Sequence, residues 1–435
     1  MTTKIPQGST AVEIASSIDK LIRQGHWKPG DQLPAVRLLA AQLGVNANTV
    51  AAAYRELRNA GSVVTDGRRG TRVTAEIKST AAEAAIPAGL RDMASGNVDG
   101  RLLLRLEPEW LTGYDRDLGY DACEDDPTLV ELAKDWLVGH ACGLGDPVFF
   151  SGALDAIERA LVQRCRPSSH VLVEDPCWPP LLALLNSLRL KPIPMKLDEQ
   201  GAMVPPAAIV RQASAVVITA RAQNPTGASY TEVRWSAWQR VLSQSPDTLL
   251  IVDDYWGPLS SASIPSLDAF STEWIYVLSL SKFLGPDLRI ALASGNGSVL
   301  QGMRRRQSVG PRWVSILLQT LAGHAWQKMV SSGALKQAGL TYKKRRAALR
   351  EALSNHGIMV PDSGEGLHFW LPVPDESEVV QNLAAMGWAV QAGQPFRLQS
   401  PPAIRVSIGN LNLTDAGALA GDVARVLTPR RRAIY

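Results

Sequence analysis

The spacing of apolar residues changes once along this chain. In residues 10–60, apolar side chains recur every three or four positions, the period of an amphipathic helix. From about residue 91, short continuous apolar runs end in polar residues and alternate with helical stretches. Runs of this kind are typical of strands that are buried on both faces of a mostly parallel sheet. The pattern therefore predicts a small helical domain followed by a large α/β domain.

The amino-terminal part predicts three short helices. The first begins at a capping box formed by Thr10 and Glu13 and ends near Gly25. The second covers about residues 35–43, and the third begins after Asn46, whose side chain can cap it. Two short helices separated by a turn that contains glycine form a helix-turn-helix, which places its second helix in the major groove of DNA.

A short hairpin follows these helices. Apolar strands at residues 63–65 and 70–73 flank a turn at Asp66-Gly67, which predicts the wing of a winged helix. Arginines near the helices and on the wing suit phosphates, a guanine edge or the minor groove, and the start of the third helix meets DNA. The candidate DNA-binding residues are Arg37, Asn46, Asn48, Thr49, Arg68, Arg69 and Arg72.

The net charge of +4 is unevenly distributed along the chain. Residues 1–78 hold 11 Lys and Arg against 6 Asp and Glu, whereas the remainder holds 34 against 35. An excess of positive charge that is confined to the first domain is expected if that domain alone contacts phosphates. Double-stranded DNA is therefore the predicted partner of this part.

Residues 10–73 resemble the GntR family of bacterial winged-helix repressors. The resemblance is carried by Pro29-Gly30-Asp31-Gln32-Leu33-Pro34-Ala35-Val36-Arg37 and by Leu43-Gly44-Val45-Asn46-Ala47-Asn48-Thr49-Val50. It implies a winged helix-turn-helix DNA-binding domain at residues 1–75. The small and polar residues 76–90 then predict a surface linker.

In the large domain, polar residues follow the apolar runs directly. Asn224, Asp253 and Lys282 each come after such a run and are spaced 29 positions apart. Ligands of open α/β sheets bind at the carboxyl ends of the strands, so these three residues are expected to share one site. The predicted strands are Val171-Leu172-Val173, Ala215-Val216-Val217-Ile218, Leu249-Leu250-Ile251-Val252 and Ile275-Tyr276-Val277-Leu278.

These residue types supply what pyridoxal 5'-phosphate needs. The aldehyde of this cofactor forms a Schiff base with an amine, which Lys282 offers. A carboxylate keeps the pyridine nitrogen protonated, and Asp253 fits that role. Asn224 and Tyr255 are available to hydrogen-bond the 3-oxygen of the ring. The sequence therefore predicts a cofactor site around Lys282.

The phosphate, the ring face and a ligand carboxylate need further groups. Hydroxyls, backbone N–H groups at a helix N-terminus and a cation hold a phosphate, an aromatic side chain stacks on the ring, and an arginine binds a carboxylate in a bidentate manner. The candidates are Ser279, Ser281, Arg289, Ser151, Gly152 and Ala153 for the phosphate, Trp178 for the ring and Arg405 for the carboxylate.

Residues 91–428 resemble the fold-type I aminotransferases. The resemblance rests on Asn224-Pro225-Thr226-Gly227, on Val252-Asp253-Asp254-Tyr255 and on Ser281-Lys282 followed by Arg289. It implies an aminotransferase-like effector domain over residues 91–435 that binds pyridoxal phosphate. The expected fold class is α/β, with a mostly parallel central sheet, flanking helices and a smaller carboxy-terminal α+β part behind the winged helix.

The two domains in this order resemble the MocR-like (GabR-like) subfamily of GntR-type transcriptional regulators. The resemblance implies a homodimer that binds an operator and responds to pyridoxal phosphate, or to an amine or amino acid that reacts with it. It also implies control of genes of vitamin B6 or amino-acid metabolism. Two alternatives stay open: an active aminotransferase with an accessory DNA-binding domain, and a DNA-binding module on an empty, scaffold-like domain.

Composition and termini bear on location. No apolar run is long enough to span a bilayer, and the start Met1-Thr2-Thr3-Lys4 does not have the pattern of a signal peptide. The four cysteines and six histidines lack the spacing of metal ligands. We therefore expect a cytoplasmic protein without a membrane partner and without a metal site.

Overall fold

The computed structural model describes residues 5–59, 62–65, 70–73, 86–111, 119, 124–140 and 145–428. The chain divides into two compact units, one that contains the amino-terminal residues as far as Ala82 and one that contains most of the remaining chain. Most of the linker predicted at residues 76–90 lies outside the described residues, so its boundaries stay a prediction.

The amino-terminal unit contains the three expected helices. They are α1 (Ala11–Arg23), α2 (Val36–Leu43) and α3 (Ala47–Asn59). The capping box is formed, because the Glu13 N–H donates to Thr10 Oγ1 at 3.3 Å and the Thr10 N–H donates to Glu13 Oε2 at 3.2 Å. The apolar faces of the helices share one buried core, which includes Ile18, Leu39 and Val50.

Two residues shape the turn between α2 and α3, and a short hairpin forms the wing. Gly44, between α2 and α3, has φ +66°, a left-handed conformation that glycine adopts without strain. The Asn46 side chain accepts the N–H of Asn48 at 2.8 Å and so caps α3. β1 (Val63–Thr65) and β2 (Thr71–Val73) then pair in antiparallel fashion. The predicted turn between these strands, with Arg68 and Arg69, lies outside the described residues.

The larger unit contains two sheets. Its first strand, β3 (Arg91–Met93), belongs to the smaller sheet. The larger sheet has eight strands, which are β4 (Val148–Phe150), β5 (His170–Asp175), β6 (Lys191–Asp198), β7 (Gly201–Ala202), β8 (Ala213–Thr219), β9 (Leu249–Asp254), β10 (Trp274–Ser279) and β11 (Ala291–Gly295). Their spatial order is β4-β11-β10-β9-β8-β5-β6-β7.

The middle of the eight-stranded sheet is parallel and fully buried. β8, β9 and β10 run parallel to one another, whereas β11 is antiparallel to β10 and to β4. Every residue of β9 and β10 is buried, which explains why both strands are continuous apolar runs up to their carboxyl ends. The four predicted strands are confirmed within β5, β8, β9 and β10.

Helices connect the strands, and α5 and α10 pack against the sheet. They are α4 (Pro127–Gly139), α5 (Ala153–Arg164), α6 (Pro179–Ser187), α7 (Ala207–Val210), α8 (Glu232–Leu242), α9 (Ser281–Leu284), α10 (Gly297–Ser308), α11 (Ile316–Ser331) and the long α12 (Ala334–Asn355). The result is the mixed α/β fold with a large central sheet that the sequence predicts.

A four-stranded sheet forms the smaller part of this unit. It contains β12 (His368–Pro372), β13 (Trp388–Ala392) and β14 (Ala403–Ser407), with α13 (Glu376–Ala385) and α14 (Ala416–Leu427). The order is β12-β14-β13-β3, so the first strand of the unit pairs with one near its end. Among the described residues, no helix combines the length and the apolar character needed to cross a membrane.

A buried ion pair joins the loop after β8 to the carboxyl end of β9. Arg221 donates from Nε to Asp254 Oδ1 at 3.0 Å and from Nη2 to Asp254 Oδ2 at 2.6 Å. The guanidinium also donates to the carbonyl of Ala262, and the Tyr276 hydroxyl donates to Asp254 Oδ2 at 2.7 Å. Burial lowers the pKa of Arg221, but the Asp254 carboxylate more than offsets this, so the net pKa is raised.

We expect Arg221→Met to lower the free energy of unfolding by about 3–5 kcal/mol, because it leaves the Asp254 carboxylate buried without its counter-ion. Urea denaturation followed by circular dichroism measures this. Lys134→Met is the matched control, because its pair with Asp146 is exposed on both sides and screened by water. Equal midpoints for the two variants would contradict the importance assigned to the buried pair.

Candidate cofactor and DNA-binding sites

A cleft of about 320 Å³ opens at the carboxyl ends of β8, β9 and β10. Thr219 and Ser279, the last residues of β8 and β10, line it. Ser151, Gly152 and Arg405 are outside the lining, although Gly152 packs against Arg289 and Arg405 contacts Asn224. Nine predicted cofactor residues lie on the cleft wall, namely Ala153, Trp178, Asn224, Asp253, Tyr255, Ser279, Ser281, Lys282 and Arg289.

Lys282 is placed by the turn from β10 into α9. Only Leu280 separates the strand from the helix, so the lysine comes directly above the sheet edge. Its Nζ donates to the carbonyl oxygen of Gly96 at 2.8 Å, and its side chain is half-buried. A backbone carbonyl therefore holds the amine at the cleft wall.

Asp253 lies at the carboxyl end of β9 and is buried. Its Oδ1 accepts no hydrogen bond from the residues that the structure describes. Burial, with additional repulsion from Asp254 and then Glu174, raises the pKa of Asp253 to about 7. Since Arg221 already pairs with Asp254, Asp253 is available to accept a hydrogen bond from a ligand in the cleft.

Asn224 follows β8 and Tyr255 follows β9, and both line the cleft. The Asn224 side-chain oxygen accepts from Arg405 Nη1 at 3.3 Å. The Tyr255 hydroxyl donates to the carbonyl oxygen of Ala222, which leaves its oxygen lone pairs for a ligand donor. Burial raises the pKa of Tyr255, with a further contribution from Asp253, so the hydroxyl stays protonated.

The corner of the cleft where α5 begins has groups that suit an anion. Ala153 is the first residue of α5, whose N-terminal N–H groups favour an anion. Gly152 has φ +104°, and a Cβ atom at this position would lie 2.7 Å from Nη2 of Arg289. The Ser281 hydroxyl has no hydrogen-bond partner among the described side chains and backbone groups. Ser151 is exposed, and its N–H donates to Asp155 Oδ2 at 3.1 Å.

Trp178 follows a loop that one carboxylate anchors. Asp175 accepts the N–H groups of Leu398, Gln399 and Ser400 at 2.9, 2.7 and 2.8 Å. This brings the loop that carries Trp178 to the smaller sheet, where the indole is half-buried and lines the cleft. An aromatic ring at the wall provides a stacking surface for a planar ligand.

The structure adds one residue that the sequence analysis missed, His368 on β12. Its Nδ1 lies 3.0 Å from Ser407 Oγ, and a Cβ atom on Gly96 would lie 3.0 Å from its ring. Burial, and then the charges of Arg405 and Lys282, hold its pKa well below the usual range. A neutral imidazole therefore lies near the two cations Arg405 and Lys282. A lone histidine in the sequence carries no signal of this position.

The residues of the cleft fit pyridoxal 5'-phosphate. Lys282 would hold its aldehyde, the unpartnered Oδ1 of Asp253 would accept from a protonated ring nitrogen, and Arg289, Ser281 and the start of α5 would hold the phosphate. The same donors and acceptors do not suit a neutral apolar ligand, because the buried carboxylate would stay without a partner.

The candidate DNA-binding residues that the structure describes lie on one helix-turn-helix and its wing. Arg37 is exposed on α2, and Asn46 and Asn48 are exposed at the start of α3, whereas Thr49 is half-buried. Arg72 is exposed on β2, and its Nη1 lies 3.5 Å from the carbonyl oxygen of Gly30. This is the arrangement that a winged helix presents to a DNA groove and its phosphates. Arg68 and Arg69 remain sequence predictions, as noted for the wing turn.

Comparisons with known proteins agree with both parts of the chain. The family described as bacterial regulatory proteins, gntR family, matches residues 10–73, and aminotransferase class I and II matches residues 143–420. The vitamin B6 salvage pathway transcriptional repressor PtsJ of Salmonella typhimurium is 35% identical over 97% of this chain and 99% of its own length. The pyridoxine biosynthesis transcriptional regulator PdxR of Corynebacterium glutamicum is 25% identical over 88% of each.

Solved structures support the fold of the larger unit. The multiple substrate aminotransferase of Thermococcus profundus matches with a TM-score of 0.70 and 16% identity, over 82% of this chain and 95% of that chain. The α-aminoadipate aminotransferase LysN of Thermus thermophilus matches with a TM-score of 0.67 and 18% identity, over 78% of this chain and 92% of that chain. At such identities, the likeness concerns the fold.

We expect Asp253→Asn to change how the stability of the cofactor-free protein depends on pH. The pKa of Asp253 is raised from 3.8 to about 7 in the folded chain. The carboxyl therefore contributes stability that is full below about pH 4 and is lost as the pH rises through about 7. Asp253→Asn should raise the Tm relative to the wild type at pH 8 and much less at pH 5. Exposed Asp268→Asn is the control, and parallel curves for wild type and Asp253→Asn would refute the buried charge.

We expect Gly152→Ala to weaken binding of pyridoxal phosphate by about tenfold or more, because the new methyl group strains the backbone and displaces Arg289. Titration of the visible absorbance of the cofactor measures this. Gly310→Ala is the matched control, since its φ is not in the left-handed region and its Cβ would meet no atom closer than 3.7 Å. Unchanged affinity in Gly152→Ala would remove this corner from the phosphate site.

Proposed function

The chain belongs to the MocR-like transcriptional regulators, and we propose that it senses pyridoxal 5'-phosphate, or an amine or amino acid through it, at Lys282. One observation carries the proposal: a buried Asp253 Oδ1 without a partner in the described chain lies in the same cleft as the Lys282 amine. The winged helix in the same chain turns occupancy of such a cleft into a signal for DNA binding.

Each residue of the cleft has a defined task in this proposal. When bound, pyridoxal phosphate supplies an aldehyde carbon that reacts with amines and a ring that withdraws electrons. Lys282 provides the amine for covalent attachment, and Asp253 holds the proton on the ring nitrogen. Arg289 and Ser281 bind the phosphate with the first N–H groups of α5. Trp178 covers one ring face and excludes water from it.

Arg405 supports an amino acid as the compound that is sensed through the cofactor. Its guanidinium is buried and donates to the Ala94 carbonyl oxygen and to Asn224 Oδ1. The neutral ring of His368, on the neighbouring strand β12, lies beside it. A ligand carboxylate would gain charge-assisted hydrogen bonds at this position.

Regulation then follows from linkage between the cleft and the operator. A ligand changes operator affinity only by binding better to one of two states of the protein. We propose a homodimer that presents two winged helices to two half-sites of double-stranded DNA in the cytoplasm. The names of the PtsJ and PdxR relatives support genes of vitamin B6 metabolism as targets. Genes of amino-acid metabolism are the corresponding targets if an amino acid is the effector.

A second candidate function is aminotransferase activity with an accessory DNA-binding domain. The combination of Lys282, Asp253 and Arg405 supports it, because transamination needs an amine, a protonated ring and a grip on the substrate carboxylate. Incubation of the cofactor-loaded protein with a common amino acid and an acceptor 2-keto acid, which takes up the amino group and regenerates the aldehyde form of the cofactor, distinguishes the two. Release of keto acid over many turnovers supports the enzyme, and one equivalent or less supports the sensor.

The proposed function predicts that Lys282→Ala abolishes the response of DNA binding to the cofactor. An operator selected from a random duplex pool serves as the probe, and its Kd is measured at one fixed salt concentration with and without pyridoxal phosphate. The wild type should change its Kd by about 5–150-fold, the usual range of coupling between sites. Lys282→Ala should bind the operator with one Kd under both conditions.

The control for this experiment is Lys344→Ala, which removes an exposed lysine on α12 outside the cleft. It should respond to the cofactor as the wild type does. A full response in Lys282→Ala would contradict covalent sensing. Absence of a visible absorbance band that borohydride traps on the wild type would contradict the cofactor site itself.

A further inference from the structure

The larger unit contains a second cavity of about 650 Å³ on the side of α12. Its walls come from the first half of α12, from residues 258–261 after β9 and from residues 362–366 before β12. Among the described residues, this cavity and the cofactor cleft share no lining side chain. A ligand in this cavity would therefore occupy a site of its own.

Arg346 is the buried cation of this cavity. Its side chain lines the wall, the residue is 7% exposed, and its guanidinium lies 4.2 Å from the centre of the Phe369 ring. Nη1 donates to the carbonyl oxygen of His368 at 2.6 Å, but the guanidinium forms no ion pair with a described carboxylate. Burial lowers the pKa of Arg346 to about 10. A buried guanidinium without a counter-ion is costly unless an anion binds to it.

Two lysines extend this positive charge along one face of α12. Lys336 and Lys343 precede Arg346 by ten and three positions, which places all three on the same side of the helix. Both lysines are exposed and line the cavity. Gly339 lies between them on this face and packs closely against the backbone of Leu259, since a Cβ atom there would lie 2.9 Å from the Leu259 carbonyl oxygen.

The acidic residues of the wall do not neutralise these cations. Asp362 pairs with Arg350 at 2.7 Å, and its side chain is largely exposed to water. Glu365 accepts from the Ser261 N–H at 3.1 Å and from the Ser261 hydroxyl at 2.6 Å, and it also accepts from Ser260. Burial lowers the pKa of Arg346 by more than the charge of Glu365 raises it. The cavity therefore keeps a net attraction for anions.

The remainder of the wall is apolar. Trp256, Leu259, Leu335, Leu340 and Tyr342 contribute to it. A bare inorganic ion would leave most of this surface in contact with water, whereas a ligand with an aromatic or aliphatic body would cover it. The shape and chemistry of the cavity thus select for a compound with one charged end and one apolar end.

We propose that this cavity binds a small amphipathic oxyanion, a carboxylate or a phosphate ester on an apolar body. Arg346 anchors the oxyanion by a charge-assisted hydrogen bond, and Lys336 and Lys343 attract it to the entrance. The apolar end lies against the walls formed by Leu259, Leu335 and Trp256. This site is separate from the cofactor chemistry at Lys282, so it does not depend on the proposed sensing mechanism.

The experiment is calorimetric titration of the full chain with phenyl phosphate and with benzoate, which carry the two oxyanions on the same ring. It is carried out on protein whose cofactor cleft has been filled with pyridoxal phosphate and fixed with borohydride, and on cofactor-free Lys282→Ala. We expect one equivalent of at least one probe to bind in both preparations. Because the second preparation needs no cofactor, a failure of the proposed cofactor site leaves this measurement intact.

Variants of α12 locate the binding. Arg346→Met should weaken binding of the probe by about tenfold or more, which is the usual loss of affinity when a hydrogen bond to a charged group is removed. The double variant Lys336→Ala/Lys343→Ala changes only exposed positions, so it tests the site even if Arg346→Met does not fold. It should weaken binding by roughly 2–10-fold and reduce its dependence on salt. Lys344→Ala, an exposed neighbour outside the cavity, is the matched control and should bind as the wild type does.

Three results would overturn the proposal. The first is no binding of either probe to either preparation. The second is equal affinity in the wild type, the double lysine variant and Lys344→Ala. The third is binding to cofactor-free Lys282→Ala that disappears when the cofactor cleft of the wild type is filled, since the probe would then occupy the cleft near Lys282.

Discussion

Two adjacent carboxylates at the buried end of β9, Asp253 and Asp254, are the constraint around which the larger unit is arranged. Like charges at neighbouring buried positions repel, and one of them needs a counter-ion. Arg221 pairs with Asp254 through two hydrogen bonds, and the Tyr276 hydroxyl adds a third. The Oδ1 atom of Asp253 has no hydrogen-bond partner among the described residues, and the side chain faces the cleft. Asp254 therefore belongs to a structural ion pair, whereas Asp253 is available to a ligand.

The functional residues depend on short connections from rigid strands. Asp253 is held within β9, and Lys282 follows β10 after two residues. A parallel sheet brings these strand ends to one edge, so that a few residues of turn suffice to bring an amine within reach of a carboxylate. The same edge faces the smaller sheet, from which Arg405 and His368 approach. The cleft therefore combines polar groups from two sheets, while its floor stays buried.

Much of this arrangement was predictable because it depends on neighbours in the chain. The capping box of α1 needs only Thr10 and Glu13, and the fully buried strands show as uninterrupted apolar runs. Asp253 and Lys282 were identifiable because each follows such a run, and nine predicted cofactor residues do line one cleft. Their roles toward a ligand stay predictions. His368 was not predicted, because only the pairing of β12 with β14 places it near Arg405.

The sequence by itself determined the two domains, the order of their elements and the residue types at the strand ends, since periodicity, caps and turns act over a few positions. Only the tertiary structure decided which distant residues meet. β3 pairs with β13 across almost 300 residues of chain, and Arg346 comes to lie in a cavity where it forms no ion pair with a described carboxylate. Such contacts depend on how whole layers pack. No local pattern encodes that packing, because the partner of a buried or charged side chain can come from any distant part of the chain.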